Sequence, residues 1–444
     1  MTRLKAMALT LASVVAAVAV LVSIDTGRST RGEVTSWDIE LVDPKAVESM
    51  PGSDDRLQLF ERRSVGRPPS APDQQLLARL LMERAAESGD DSLFVAAEQE
   101  YRRALTMAPG NVASQLGLAS AMAAQHQFRP ALELIEGVLA SHPDNLDALA
   151  AVGDAYLSLG RYEEAVAAHE KLASLLPAAP ANARLAHLEE LYGNPEQARR
   201  ILETAALEMH RSDALADDLA WYLIRLADLY FQLGDLEASA RHAEVAFEVS
   251  ERTFIALGQL ARARAAQGRI DEAITTSEHL IQQQRHPELL GQLGDLYALA
   301  GRQQQAAALY EQVIGLAATA GPVEDRPLAK FLADHNLDPE QALLRAARDL
   351  ELRPDVEAHD LYAWTLYRNG RFETAAEAIE RALRLGTRRA EFYYHAGMIY
   401  GALGDIDRSI SFLEEALAIN PRFDPLHAPL AREHLEAQRA ANTG

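Results

Sequence analysis

The segment LDALAAVGDAYLSLGRYEEAVAAHEKLASLLP, from Leu146 to Pro177, carries the pattern that decides the fold. Gly153 and Ala165 are small enough to let two helices pack closely, and Gly160 can adopt the left-handed conformation that ends the first helix. Pro177 has no amide hydrogen, so the second helix must end before it. The segment therefore predicts two antiparallel helices joined by a tight turn.

The same pattern recurs along the chain at a fixed spacing. Pro109, Pro143 and Pro177 are evenly spaced, and the turn glycines Gly370 and Gly404 have the same separation. A period of about 34 residues is typical of one kind of helix-turn-helix repeat. On these residues the chain resembles the tetratricopeptide repeat family over 78–423. We place units at 78–111, 112–145, 146–179, 179–212, 220–253, 254–287, 287–320, 323–356, 356–389 and 390–423.

The resemblance implies an all-α fold, a right-handed superhelical solenoid of about ten helix-turn-helix repeats. It also implies that the first helices of the repeats line a concave groove, which commonly holds a peptide or helix of a partner. The period is interrupted at Met209–Asp218 and at Leu316–Pro327, so we divide the repeats into 76–212, 213–320 and 321–423. Residues 424–444 then form a capping helix and tail, in which Pro429 opens the helix and Leu430 and Leu435 cover the last repeat.

The N-terminus has the composition of a membrane anchor or a signal peptide. After Arg3 and Lys5, the apolar run Ala6–Ile24 has no charged residue, and as a helix it would reach roughly 28 Å, close to the thickness of a bilayer core. Residues 1–24 are therefore predicted to anchor the chain, and 25–75 to form a linker rich in proline and glycine. This orientation places the repeats outside the cytoplasm, in the periplasm or at the cell surface. The alternative is a secreted chain, released by signal cleavage.

Composition excludes several classes of function. The net charge is −22 and nearly all of the acidic excess follows residue 75, which argues against binding nucleic acid. The chain has no cysteine, so thiol catalysis and thiolate metal sites are excluded. Relatives that grip the carboxyl terminus of cytosolic chaperones use Lys and Asn, yet this chain has only four lysines. A clamp of that kind is not expected here.

No motif for catalysis is present in the sequence. Repeats and cap occupy 76–444, and neither a phosphate-binding loop, a dinucleotide fingerprint nor a nucleophile elbow occurs. The histidines are dispersed, one or two per repeat, so we predict no metal site, no cofactor, no catalytic residue and no small-molecule substrate. The leading prediction is a scaffold for protein–protein interaction, and the alternative is an accessory subunit of an envelope enzyme or assembly complex. An enzyme ranks third.

A partner-binding site is predicted from the groove-facing position of each repeat. That position is acidic in the middle of the array and apolar toward the C-terminus. We expect three carboxylates to steer a basic segment of the partner and four large side chains to anchor it, as exposed aromatic clusters do at interfaces. The carboxylates are Asp154, Asp228 and Asp295, and the anchors are Trp364, Tyr367, Tyr394 and Met398. The alternative for Trp364 is a role in helix packing.

Overall fold

The computed structural model describes residues 56–60, 68–88, 90–211, 216–250, 254–283, 285–317, 321 and 324–442. The predicted anchor at 1–24 lies outside the described residues, as does most of the predicted linker. Among the helices that are described, none combines the length and the apolar character needed to cross a bilayer.

The described chain is built from helical pairs, and they confirm the predicted all-helical solenoid of about ten repeats. Ten pairs run from α1 to α20, a single helix α21 follows them, and a short 3-10 helix at Leu383–Leu385 extends α18. The helices are α1 (Ala71–Ser88), α2 (Ser92–Met107), α3 (Val112–Ala124), α4 (Phe128–Ser141), α5 (Leu146–Ser158), α6 (Tyr162–Leu175), α7 (Ala179–Leu191), α8 (Pro195–Arg211), α9 (Ala216–Gln232), α10 (Leu236–Val249), α11 (Phe254–Ala266), α12 (Ile270–Gln283), α13 (Pro287–Leu299), α14 (Gln303–Ala317), α15 (Asp325–Asp334), α16 (Pro339–Leu352), α17 (Val356–Arg368), α18 (Phe372–Ala382), α19 (Ala390–Ala402), α20 (Ile406–Ile419) and α21 (His427–Asn442).

Each pair forms for the reasons that the sequence indicated. A Cβ atom on Gly153 would lie 2.1 Å from Nε2 of His169, so only glycine lets α5 approach α6 this closely. Gly160 ends the first helix with a φ of +65°, in the left-handed region. Two repeats lack a glycine at this turn, and there His126 and Asn336 adopt the left-handed conformation instead.

The described helices fall into two compact units. Helices α1 to α6 form the first unit, apart from residues 158–160, and α7 to α21 form the second. The boundary therefore lies at Pro177, and the two breaks predicted after residues 212 and 320 fall inside the second unit. The first helix after the second break, α15, has only 10 residues.

The capping helix covers the last repeat with a different face from the one predicted. Helix α21 begins at His427, two residues before Pro429, and Ala428, Ala431 and Leu435 are buried in the C-terminal core. Leu435 is 7% exposed, as predicted, whereas Leu430 is 39% exposed and does not cover the repeat. The helix starts earlier than expected because the Asp424 carboxylate accepts the backbone N–H groups of Leu426 and His427.

The second unit coils back until its last repeats contact its first. Thr387 Oγ1 donates to the carbonyl of Leu191, and Asn420 Nδ2 donates to the carbonyl of Phe231 at 2.7 Å. Arg422 Nη1 donates to the carbonyl of Ala266 at 3.1 Å. These carbonyls belong to the last turns of α7, α9 and α11, where a helix leaves its acceptors without intrahelical partners. Side chains from the end of the chain thus cap helices that lie much earlier in the sequence.

The burial of α21 predicts different effects for its two leucines. Leu435→Ala removes side-chain packing from the C-terminal core and is expected to lower the free energy of unfolding by about 2–4 kcal/mol. Leu430→Ala is the matched control in the same helix, with an expected loss of less than about 0.5 kcal/mol. Urea unfolding followed by circular dichroism measures both. Equal losses in the two variants would show that the cap packs differently.

The closure of the second unit predicts a long-range effect of one asparagine. Asn420→Ala leaves the last turn of α9 without its side-chain cap and is expected to speed amide exchange in both 229–235 and 420–424. Asn369→Ala is the control, because within the described part of the chain the Asn369 side chain donates to the carbonyls of Pro339 and Thr365, in the preceding repeat and its own. Hydrogen exchange by mass spectrometry reads the two regions separately. Unchanged exchange at 229–235 in Asn420→Ala would contradict the closure.

Candidate functional site

A cavity of about 200 Å³ lies within the second unit. Its walls come from the first helices of successive repeats, α9, α11, α13, α15, α17 and α19, together with the segment Asn420–Asp424 that leads into α21. The implied concave groove is therefore present in this unit, but the closure described above narrows it to a pocket. Six carboxylates line the cavity: Asp228, Glu288, Glu357, Asp360, Glu391 and Asp424. Four cations line it as well: Arg262, Arg326, Lys330 and Arg389.

Arg326 is the most enclosed of the four cations. It is buried, and its guanidinium donates to the carboxylates of Asp349 at 2.7 Å, Asp355 at 3.0 Å and Glu357 at 2.9 Å. Although burial opposes protonation, the three carboxylates raise the pKa of Arg326 above its usual range. This arginine therefore joins α15 to α17, and all of its donor groups face acidic side chains.

Arg389 and Arg262 complete two further ion pairs on the wall. Arg389 donates to Glu357 and lies 3.5 Å from Glu190, which Arg225 binds at 2.9 Å. Burial raises the pKa of Glu190, but Arg225 and its other positive neighbours outweigh burial and hold the pKa well below the usual range. Arg262 binds Asp228 at 3.1 Å. Each arginine of the wall is thus engaged by an acid before any partner arrives.

Lys330 occupies the place that a metal ion would take. Asp334, Glu391 and His427 each offer one ligand atom, and these atoms lie within 4.8 Å of one another. The Lys330 ammonium bonds both Asp334 Oδ2, at 2.8 Å, and Glu391, and these carboxylates raise its pKa well above the usual value despite its burial. A divalent ion would place its charge against this ammonium, so the donor set does not fit a metal.

His395 and Asp360 form a buried pair beside the lysine. His395 Nδ1 lies 2.9 and 3.0 Å from the two oxygens of Asp360, so it carries the hydrogen of that bond. Burial raises the pKa of Asp360, and His395 acts against this rise. The His395 ring stacks on Trp364 with centroids 4.3 Å apart. Its Nε2 atom is buried and has no hydrogen-bond partner among the described residues.

The structure brings the four predicted anchors together, but in the core. Trp364 is 0% exposed, Tyr394 is 1% exposed, and both pack with Met398 and the half-buried Tyr367 in the C-terminal hydrophobic cluster. Trp364 stacks on Tyr367 with centroids 5.0 Å apart and donates its Nε1–H to Asp334 at 2.9 Å. The expectation of an exposed cluster was wrong, because the following repeat and α21 cover these side chains. Their role as partner anchors stays an untested prediction.

The three predicted carboxylates lie in separate places. Asp154 belongs to the first unit and lies 3.2 Å from His169 Nε2. Asp295 accepts hydrogen bonds from Tyr310 at 2.6 Å and from His335 at 2.7 Å, and burial raises its pKa. Asp228 alone of the three lines the cavity. Of the seven predicted site residues, Asp228 and Trp364 line the cavity.

Sequence reasoning missed most of the charged wall. Arg326 and Asp360 are one repeat period apart in the sequence, and so are Glu357 and Glu391. The predicted site used a single groove-facing position in each repeat, such as Trp364. These four residues of the wall lie one to two helical turns before that position on the same helices, and the repeat period also relates them to one another. Following the period at these positions would have found the four residues.

Comparison with protein families supports the repeat assignment. Three family models, each described as tetratricopeptide repeat, match this chain. The first matches 224–278 and 361–422, the second matches 91–152 and 122–180, and the third matches 289–324. Among curated proteins, none matches the sequence significantly.

Several solved structures are similar to this chain at low sequence identity. A tetratricopeptide repeat protein of Parabacteroides merdae is 19% identical, with 57% of this chain and 98% of that chain covered and a TM-score of 0.41. The thermophilic protein TTC0263 of Thermus thermophilus is 21% identical over 44% of this chain and 98% of its own, with a TM-score of 0.39. Human IFIT1, solved as a dimer with PPP-AAAA, is 14% identical over 86% and 96%, with a TM-score of 0.46. From the matches of the family models, the chain belongs to the tetratricopeptide repeat family.

Proposed function

We propose that this chain is a protein-interaction scaffold, held at a membrane by residues 6–24 with its repeats outside the cytoplasm. Tetratricopeptide repeats generally mediate binding between proteins. The observation that carries the proposal is that every helix from Ala71 to Asn442 belongs to a repeat pair or to the cap. The described repeats therefore offer surfaces and a groove, and the described region from 68 onward contains no additional folded domain.

The cavity supports binding of a protein more than turnover of a small molecule. Pockets for drug-sized ligands usually measure about 300–1,000 Å³, and this cavity is smaller. Its arginines and its lysine are engaged in ion pairs with acidic neighbours, an arrangement that positions helices. A single side chain of a partner fits such a space while the rest of the partner lies on the rim.

The location rests on the sequence of the N-terminus. Ala6–Ile24 is long enough to cross a bilayer, and Arg3 and Lys5 favour a cytoplasmic position for the short segment before it. The repeats then follow on the opposite side of the membrane. An anchored array of this kind holds its partner near the membrane surface, where an envelope enzyme or an assembly complex would work.

The scaffold role is tested by crosslinking the full chain in intact cells and mapping the crosslinked peptides by mass spectrometry. The proposal expects one defined partner, crosslinked to the repeats at the same positions in repeated experiments. The identity of that partner also separates a general scaffold from an accessory subunit of an envelope enzyme. Known envelope complexes captured in the same experiment serve as the positive control. If they are captured while this chain crosslinks only to itself, the proposal is contradicted.

The location predicts that protease added to spheroplasts digests the repeats. A cytosolic marker must stay intact in the same sample, and the chain must fractionate with membranes before digestion. Deletion of 6–24 is the matched control and is expected to leave the repeats protected in the cytosol. Protection of the unaltered chain would refute the location. A membrane-free chain with a new N-terminus near Val20 would instead establish cleavage.

The burial of Trp364 predicts how its substitution behaves. Trp364→Ala removes stacking with Tyr367 and His395 and a hydrogen bond to Asp334, so the free energy of unfolding is expected to fall by about 3–5 kcal/mol. Trp364→Phe keeps much of the packing and is expected to cost less. Denaturant unfolding measures the effect of each variant. A stable Trp364→Ala variant that no longer crosslinks to its partner would restore Trp364 as a partner anchor.

A further inference from the structure

We infer that the cavity of the second unit receives a cationic side chain of the protein partner, a lysine or an arginine. This inference rests on the proposed scaffold function and specifies the chemistry that the groove recognises. Three observations carry it: the balance of charge on the wall, a buried ring nitrogen of His395 without a hydrogen-bond partner, and the size of the cavity.

The wall has more acidic groups than basic ones. Six carboxylates and four Lys or Arg side chains line the cavity, which leaves an acidic excess of two on the wall. Arg326, Lys330 and Arg389 are each held by at least two carboxylates. An anion would have to displace those carboxylates, whereas a cation adds to them. The charge of the wall therefore favours a positive occupant.

Among the wall carboxylates, Asp360 and Asp424 accept hydrogen bonds from donors other than Lys or Arg. Asp360 accepts from His395, and Asp424 accepts from the backbone N–H groups of Leu426 and His427. A carboxylate has two oxygens and can accept several hydrogen bonds, so these groups keep acceptor capacity. An incoming ammonium or guanidinium group supplies both the charge and the N–H donors that match them.

His395 adds an independent signal for the same kind of ligand. Nδ1 donates to Asp360, and Nε2 is buried with no hydrogen-bond partner among the described residues; the ring form that keeps a single hydrogen, on Nδ1, offers Nε2 as an acceptor. His395 is 2% exposed and its side chain lines the cavity. A buried acceptor without a donor costs free energy, which an N–H group of an occupant would recover.

The volume of the cavity and its access to solvent fit one side chain at the end of a longer molecule. At about 200 Å³ the cavity holds a lysine or arginine side chain but no folded segment. Arg262, Glu288, Gln292 and Lys330 line the cavity and are half-buried, so solvent reaches this part of its wall. The backbone of the partner would lie across this part of the wall while one of its side chains enters.

The test compares two blocked pentapeptides that differ in one charged group. One is Ala-Ala-Lys-Ala-Ala and the other carries norleucine, which has a similar apolar stem without the ammonium. Isothermal titration of the full chain is expected to show at least tenfold tighter binding of the lysine peptide. Equal affinity for the two peptides, or no binding of either at millimolar concentration, would overturn the inference.

Three variants place the lysine peptide within the cavity. Glu288→Gln and Asp360→Asn each remove one negative charge from the wall, and each is expected to weaken binding at least fivefold. Glu373→Gln removes the same charge from an exposed position on α18 and is expected to bind as the unaltered chain does. Circular dichroism checks that each variant is folded. If Asp360→Asn does not fold, Glu288→Gln still tests the site. Unchanged affinity for the lysine peptide in folded Glu288→Gln or folded Asp360→Asn overturns the assignment.

The crosslinking experiment separates failure of this inference from failure of the scaffold role. A defined partner in cells, together with equal affinity for the two peptides, would keep the scaffold and overturn the cation site. A strong preference for the lysine peptide in a chain that crosslinks to nothing would support the site and remove the scaffold role.

Discussion

The carbonyl groups at the ends of α7, α9 and α11 are the constraint on which the second unit depends. A helix leaves its last carbonyls without intrahelical partners, and burying them without donors costs free energy. Here Thr387 and Asn420 supply buried donors from the last repeats to Leu191 and Phe231, and Arg422 donates to Ala266 at an exposed position. The Phe231 carbonyl also accepts the backbone N–H of Gly234. The three side-chain bonds tie the two ends of the unit together. These bonds also produce the cavity, because without them the first helices of the repeats would face a wide groove that is open to solvent.

Closure also explains why so many charges lie inside the unit. Side chains that would face water in an open groove become buried when the last repeats approach the first, and pairing with an opposite charge lowers the free-energy cost of burying them. Arg326 achieves this with three carboxylates, and Arg389 connects Glu357 to Glu190. Buried ion pairs contribute little net stability, because desolvation offsets most of the attraction between the charges. Their effect is geometric: they fix which helices face one another.

The repeats could be predicted from the sequence, while the site could not be predicted fully. The regular spacing of the prolines and the turn glycines indicated the helical pairs, because each pair depends on residues close together in the chain. Trp364 and Tyr394 were misplaced because the family pattern describes a groove open to solvent, and here later segments cover them. Leu430 was misplaced because Ala428, Ala431 and Leu435 form the face of α21 that packs on the core, and Leu430 lies off that face. Contacts between segments far apart in the chain leave no trace in a repeat pattern.

The hydrogen bonds that close the second unit also bear on how this array can evolve. An open solenoid contacts only its neighbours, so its length can grow or shrink by one repeat with little effect on the rest. In a closed coil, each repeat adds a fixed rotation and rise, and Thr387 meets Leu191 only for one number of repeats between them. Duplication or loss of a unit between α7 and α19 would move these ends apart. Selection on the cavity would therefore act as selection on the number of repeats between α7 and α19.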